Sequence, residues 1–199
     1  MEGAVSLPRR VAWLQMITLT WMVLECGASL FGAMQAHSVA LLAFGSDSFI
    51  ELLSAIVVLL QFVPRFPLKT SHAEKTAAVL LFLLAAAVVW IAAISWGGPL
   101  ETSVLGIAVT AVALVMMPVL SRFKRIEAGR IGNTALAADA TQSATCAYLA
   151  GITLAGLVVF AVWRITWVDS VAALAIVPFL VMEGRRAWRG DGCGCGCAH

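Results

Sequence analysis

Residues 77–96 read AAVLLFLLAAAVVWIAAISW, twenty consecutive positions without a charged side chain. A helix needs about 20 apolar residues to cross the ~30 Å hydrocarbon core of a bilayer. The apolar residues do not alternate with polar ones, which favours a helix over a strand of a membrane barrel. This segment by itself therefore predicts a transmembrane helix.

The composition of the rest of the chain agrees with this segment. Of the 199 residues 61% are hydrophobic and 12% are charged, whereas about 25% of a soluble domain is charged. This excludes a disordered chain and a water-soluble enzyme, and a net charge of +2 leaves no basic surface for nucleic acid. The sequence predicts an all-α integral membrane protein with a bundle of six transmembrane helices, the other five spans lying at about 11–34, 39–63, 104–120, 134–163 and 171–182.

The basic residues predict the orientation of the bundle. Twelve of the thirteen Lys and Arg fall at the N-terminus, after spans two and four, or at the C-terminal end, and the remaining one is Arg164. The positive-inside rule makes that side cytoplasmic, so both termini are expected inside a multi-pass protein of the cell (inner or plasma) membrane. We expect residues 1–10 to form a cytoplasmic N-terminus and residues 11–188 to form a six-helix transport domain. Residues 189–199 are expected to form a flexible Cys/Gly-rich cytoplasmic tail.

A cleavable signal peptide is the competing interpretation of residues 1–36. The first apolar stretch is longer than the roughly 7–15 apolar residues of a signal peptide, and it contains Glu25. We therefore expect the segment to be retained as the first span.

Four carboxylates lie inside the predicted spans: Glu25, Asp47, Glu51 and Asp139. A charge at the bilayer centre costs about 2.5–3.5 kcal/mol on insertion scales, so such groups usually face a cavity, an ion path or a partner. No Lys or Arg is expected at comparable depth. The compensating positive charge is therefore expected to be a cation or protons.

The spacing of polar residues in spans two and five predicts a metal site between them. Asp47 and Glu51 are four residues apart, and so are Gln142 and Cys146, which places each pair on one helix face. Two such pairs can complete a roughly tetrahedral shell around a metal ion. Carboxyls removed from water tend to hold protons, so that metal binding would release them, as a metal/proton antiport requires.

Simpler interpretations exist for each of these residues. Asp47 and Glu51 can bond neighbouring serines and hold helices together, Gln142 can serve as an interhelical hydrogen-bonding group, and Cys146 can be a small buried apolar residue. We expect Glu25 and Cys26 to act as accessory ligands or proton carriers, and Asp139 to act at the cytoplasmic mouth. A structural role for Glu25 stays open. No cofactor is expected beyond the transported metal.

The C-terminal residues 189–199 read RGDGCGCGCAH. Alternating glycines leave the backbone free, and a cytoplasmic position keeps the thiols reduced. We interpret the tail as a collector of soft metal, although incidental thiols and palmitoylation remain open. Its candidate ligands are Cys193, Cys195, Cys197 and His199.

Four stretches resemble the cation diffusion facilitator family. They are SVALLA at 38–43 followed by SDS at 46–48 and Glu51, HAEK at 72–75, ADATQSATC at 138–146 and WVDSVAAL at 167–174. The resemblance covers about residues 12–188 and implies a homodimeric exporter of Zn²⁺ and similar divalent cations that exchanges metal for protons. It places Asp47, Glu51, Gln142 and Cys146 at the four transport-site ligands.

The sequence also departs from the family pattern. Phe44 stands where an aspartate is usual, Glu51 replaces Asp, Gln142 replaces His and Cys146 replaces Asp. Glutamine is a poor zinc ligand and a thiolate selects borderline or soft ions, so the usual metal is in doubt. A tail of about fourteen residues stands where the family's cytoplasmic metal-binding domain would follow, so dimerisation cannot be inferred from that domain.

The function predicted is export of Zn²⁺, Cd²⁺ or a softer thiophilic metal by a secondary transporter. The alternative is a non-transporting metal-binding or regulatory membrane protein with a degraded site, in which the tail is the working part. An enzyme is not expected, since the sequence contains no HExxH motif, no aspartate pair suited to intramembrane proteolysis and no Ser/His arrangement at membrane depth.

Overall fold

The computed structural model describes residues 9–60, 70–132 and 134–189 of the chain. These residues form helices and short connections, with no strand among them. The prediction of an all-α bundle of six helices is confirmed. The helices are α1 (Arg9–Ala36), α2 (Val39–Leu60), α3 (Thr70–Ile94), α4 (Val104–Ile131), α5 (Thr134–Trp163) and α6 (Trp167–Arg189).

Five of these helices, all except α2, are long and apolar enough over the described residues to cross a membrane. The protein is thus a multi-pass membrane protein. α2 has 22 residues, a length of about 33 Å at ~1.5 Å per residue, which would also suffice for a span. The sixth span and the cytoplasmic position of both termini stay predictions.

The predicted boundaries agree best for α5, whose limits are those expected. α4 differs, because it continues beyond residue 120 to Ile131 and ends where Gly132 adopts a left-handed φ of 63°. The basic residues after span four were expected in a loop, and for this part of the chain that expectation is wrong. The apolar run stops at residue 120, but the helical period continues and keeps Lys124 and Ala128 on the buried face.

Small residues allow neighbouring helices to approach closely. A Cβ added at Gly45 of α2 would lie 2.9 Å from the Cβ of Ser29 in α1, and one added at Gly156 of α5 would lie 2.8 Å from the Cβ of Ala172 in α6. Both distances are shorter than side chains tolerate, which fits the use of small residues at helix contacts in membranes.

Two contacts define the ends of the bundle. At one end, Val11, Ala128 and Leu136 pack together and join the start of α1, the end of α4 and the start of α5. At the opposite end, Asp169 of α6 accepts hydrogen bonds from the hydroxyl of Ser38 (2.5 Å) and from the backbone N–H of Val39 (2.6 Å). This carboxylate caps the N-terminus of α2 and fixes the helix that carries two of the candidate ligands.

Candidate metal-binding site

The two α2 carboxyls face the interior of the bundle. Asp47 is 4% exposed and Glu51 is 1% exposed. The hydroxyl of Ser143 in α5 donates to Oε1 of Glu51 at 3.0 Å. The face of α2 that carries these acids therefore packs toward α5, as the spacing of the two helices predicts.

Asp139 of α5 lies in a group that we call the lysine cluster, formed by Gln15, Lys124, Asp139 and Ser143. Nζ of Lys124 is 3.0 Å from Oδ2 of Asp139 and donates to the hydroxyl of Ser143 at 2.9 Å. Nε2 of Gln15 donates to the same Oδ2 at 2.9 Å. Three helices, α1, α4 and α5, thus share one buried ion pair.

The lysine cluster corrects one sequence-based prediction. No base was expected at the depth of the intramembrane acids, yet Lys124 is fully buried and paired with Asp139. The prediction failed because span four was ended at residue 120, which assigned Lys124 to a solvated loop. On the longer helix, Lys124 follows Leu120 by four residues and Met117 by seven, both of which are buried.

A second group, which we call the thiol cluster, surrounds Glu25 and consists of Trp21, Glu25, Ser48 and Cys146. Oε1 of Glu25 accepts from the hydroxyl of Ser48 at 2.8 Å and lies 3.5 Å from the Cys146 sulfur. Oε2 of Glu25 accepts from the indole N–H of Trp21 at 2.6 Å. Glu25 and Cys146 are both fully buried. Sequence spacing made Glu25 an accessory residue, but the fold places it in direct contact with a candidate ligand.

The two clusters lie in series along the bundle. Lys124 is seven residues from the end of α4 and Asp139 is five from the start of α5, depths of about 10 and 8 Å at ~1.5 Å per residue. Cys146 is twelve residues into α5, about 18 Å deep. Glu51 contacts Ser143, which lies between Asp139 and Cys146 along α5. Buried polar side chains thus follow one another from the α4–α5 end into the bundle, and we call this succession the polar path.

The remaining candidate residues have different outcomes. Gln142 is half-buried, and Cys26 is buried beside Glu25 in α1. The four candidate ligands of the tail lie outside the described residues, so their prediction stays open. Among the residues that the structure describes, no three His, Cys, Asp or Glu side chains are close enough to hold a metal ion as they stand. Side-chain movement is therefore needed before Asp47, Glu51 and Cys146 can share one ion.

Several partners of these acids were missed at the sequence level: Gln15, Trp21, Ser48, Lys124 and Ser143. Single hydroxyls and an amide in an apolar helix carry no spacing signal that marks them as partners of an acid in another helix. Two of the missed partners did carry a signal. Trp21 precedes Glu25 by four residues in α1 and so lies on the same helix face, and the helical period carried beyond residue 120 places Lys124 on the buried face of α4.

Comparison with known families identifies the chain. A family model, the cation efflux transmembrane domain, matches residues 73–189, which is 117 of the 199 positions. The chain belongs to the cation efflux family. The resemblance to cation diffusion facilitators that the motifs indicated is thereby confirmed, and the protein is a membrane cation transporter.

The family match covers one part of the site and not the other. It begins within α3 and includes Lys124, Asp139, Gln142 and Cys146, whereas the acids of α1 and α2 lie before it. A search of curated proteins found no match to this cation efflux protein. The assignment of α2 residues to the site therefore depends on the motif at residues 38–51 and on the geometry described above.

Proposed function

We propose that this cation efflux protein exports a divalent transition or heavy metal, either Zn²⁺ or Cd²⁺ or a softer thiophilic ion, in exchange for protons. One observation gives the main support for this choice of ion. A fully buried thiol, Cys146, lies 3.5 Å from the carboxylate of Glu25, within a bundle that also buries Asp47 and Glu51. Thiolate combined with carboxylate suits Zn²⁺ and softer ions, whereas Mg²⁺ and Ca²⁺ prefer ligand sets made of oxygen alone.

In the proposed mechanism, Asp139 and the cysteine tail attract the ion at the cytoplasmic mouth. Asp47, Glu51 and Cys146 then turn toward the ion and release the protons that they held, and Gln142 contributes its carbonyl oxygen or leaves room for water. Glu25 and Cys26 act as accessory ligands or proton carriers. Rocking of the bundle exposes the site to the other side, where protons displace the metal.

The proposal includes a homodimer, which rests on the resemblance alone. The mass of the detergent-solubilised protein, corrected for bound detergent, tests it. A monomer that retains full transport after reconstitution at one chain per vesicle would contradict this part of the proposal.

Transport into inverted membrane vesicles tests the site assignment. Added Cd²⁺ should accumulate inside and the lumen should become more alkaline, since protons leave as the metal enters. Both signals should be lost in Asp47→Ala and in Glu51→Ala, because each substitution removes a buried carboxylate from the site. Glu101→Ala, which removes an exposed carboxylate between α3 and α4, is the matched control and should transport normally. Unchanged metal flux in both site variants would exclude the assignment.

One observation favours the alternative of a non-transporting metal-binding protein, namely that no three candidate ligands in the described helices stand close enough to hold an ion. Deletion of residues 190–199 separates the two functions. A transporter should keep its flux at saturating Cd²⁺, whereas a protein that works through its tail should lose all metal-dependent activity.

A further inference from the structure

Lys124 is a buried base with contacts on two sides. Its side chain has no exposed surface, and its ammonium lies 3.0 Å from Oδ2 of Asp139 and 2.9 Å from the hydroxyl of Ser143. Removing an ammonium from water is costly unless it is paired and hydrogen-bonded, so this arrangement holds Lys124 firmly in place. The same contacts place a positive charge on the polar path between the α4–α5 end and the thiol cluster.

The ammonium is connected to Glu51 through one hydroxyl. Ser143 accepts the hydrogen bond from Lys124, and its own hydroxyl faces two acceptors, Oε1 of Glu51 at 3.0 Å and the backbone oxygen of Asp139 at 3.2 Å. Three buried oxygens around this connection have no hydrogen-bond partner among the described residues: Oε2 of Glu51, Oδ1 of Asp139 and Oε1 of Gln15. All three are acceptors, so the surroundings of Lys124 offer unused oxygen ligands to a second cation.

We infer that Lys124 is a specificity-determining residue that makes the path reject monovalent cations. Its ammonium acts as a tethered monovalent cation on Asp139 and, through Ser143, on Glu51. A free cation that binds the remaining oxygens of these acids meets the positive charge of the ammonium, and it must displace the ammonium from Asp139 or bind against its repulsion. This inference rests on the proposed function, since it concerns the ions that compete for the same acids.

The charge of the incoming ion decides whether displacement is favourable. Exchanging an ammonium for K⁺ or Na⁺ replaces one unit charge by another. The Lys124 ammonium binds Asp139 in preference to either ion, because its covalent attachment to α4 keeps it beside the carboxylate. A divalent ion at the same distance gains twice the Coulomb attraction, and ligation by Asp47, Glu51 and Cys146 offsets the larger cost of removing it from water. The lysine therefore discriminates by charge, while the thiol cluster discriminates by ligand softness.

The test uses the full chain in lipid nanodiscs and measures equilibrium binding of Cd²⁺ in KCl and in choline chloride of equal ionic strength. Choline matches the ionic screening, but the methyl groups around its nitrogen prevent oxygen ligands from coordinating it as they coordinate K⁺. The wild-type protein should bind Cd²⁺ equally in both salts. In Lys124→Gln, which removes the charge and keeps an N–H donor on a side chain one atom shorter, K⁺ should weaken Cd²⁺ binding by about tenfold, equivalent to ~1.4 kcal/mol.

Two further variants control for the change. Lys124→Arg keeps the charge and should restore insensitivity to K⁺. Arg125→Gln removes a charge from the adjacent, exposed position of the same helix and should behave as the wild type does. Equal K⁺ sensitivity in Lys124→Gln and Arg125→Gln would overturn the inference.

Asp139→Asn gives a second prediction, opposite in sign to the one for Lys124→Gln. Without its aspartate, the ammonium is left with Ser143 and Glu51 and competes with Cd²⁺ for Glu51 more strongly. Cd²⁺ binding in choline chloride should therefore weaken in Asp139→Asn, whereas Lys124→Gln should strengthen it. An ion pair that only holds α4 to α5 predicts changes of the same sign in both variants, and that result would overturn the inference.

The same measurements separate this inference from the proposed function. If the wild type binds Cd²⁺ and Glu51→Ala abolishes that binding, but no Lys124 variant alters the effect of K⁺, the inference alone fails. If the wild type binds no Cd²⁺, or Glu51→Ala binds it normally, the proposed site and the inference fail together.

Discussion

The lysine cluster and the thiol cluster are two solutions to burying a carboxylate in the same bundle. In the lysine cluster, Asp139 is paired with a base 3.0 Å away. In the thiol cluster, Glu25 is surrounded by a hydroxyl, an indole and a thiol, which are neutral donors. Neutral donors solvate a carboxylate without cancelling its charge. Among the described residues, the carboxylate of the thiol cluster is therefore left without a counter-charge, whereas the carboxylate of the lysine cluster has one.

The difference between the two clusters is tested most strongly by removing Lys124, the base that pairs with Asp139. Lys124→Met leaves Asp139 buried without a counter-charge, so the free energy of unfolding should fall by about 3–5 kcal/mol. The double variant Lys124→Met with Asp139→Asn removes both charges and should recover most of that loss. Unfolding in detergent micelles by a denaturant series measures both.

Comparable stability of the single and double variants would show that the pair contributes nothing as a pair. Arg130→Gln is a suitable control, because it breaks an exposed ion pair with Glu127 on the same helix. Its effect should stay below about 1 kcal/mol.

The next largest effect is expected from the sulfur of the thiol cluster. Cys146→Ser keeps a small polar donor beside Glu25 but replaces a soft ligand by a hard one. Cd²⁺ affinity should fall by about 100-fold, ~2.7 kcal/mol, and Zn²⁺ affinity by less. Competition binding of the two metals to the purified variant measures the change in their ratio.

Cys26→Ser is the matched substitution, since Cys26 is also a buried free thiol but is not hydrogen-bonded to the cluster acid as Cys146 is. It should leave the Cd²⁺-to-Zn²⁺ ratio within a few fold. An equal loss of selectivity in both variants would assign the preference to thiols in general and not to Cys146.

The smallest effect should come from Asp169, a buried acid outside both clusters. It accepts hydrogen bonds from Ser38 and from the first backbone N–H groups of α2. Asp169→Asn should lower the free energy of unfolding by about 1–2 kcal/mol through the weaker cap. Cd²⁺ binding should be unchanged once the protein is folded. A large loss of binding without a loss of stability would place Asp169 in the ion path.

Much of the fold could be predicted from the sequence because it depends on local patterns. Charge-free runs of about 20 residues mark helices that cross a bilayer. The end of the charge-free segment at residue 96 agrees with the structure to within two residues, since α3 ends at Ile94 and Gly97 then adopts a left-handed φ of 68°. The spacing of Asp47 and Glu51 placed both acids on one buried face. The C-terminal limit of α4 was wrong because apolar count, and not helical period, was used to set it.

The candidate site could be predicted only in part. The acids are visible in the sequence because carboxylates are rare in apolar helices. Their partners are not, since Ser48 and Ser143 are ordinary small polar residues until the fold places them beside Glu25 and Glu51.

The sequence by itself determined that this chain is an α-helical membrane protein, which family it resembles and which acids and thiols lie within its helices. Those properties follow from hydropathy and period, which act along one helix at a time. Only the tertiary structure decided how the acids are divided between the two clusters. Charge compensation in a bundle acts across helices over about 3 Å, so Lys124 reaches Asp139 through the packing of α4 against α5, and no feature within α5 indicates it.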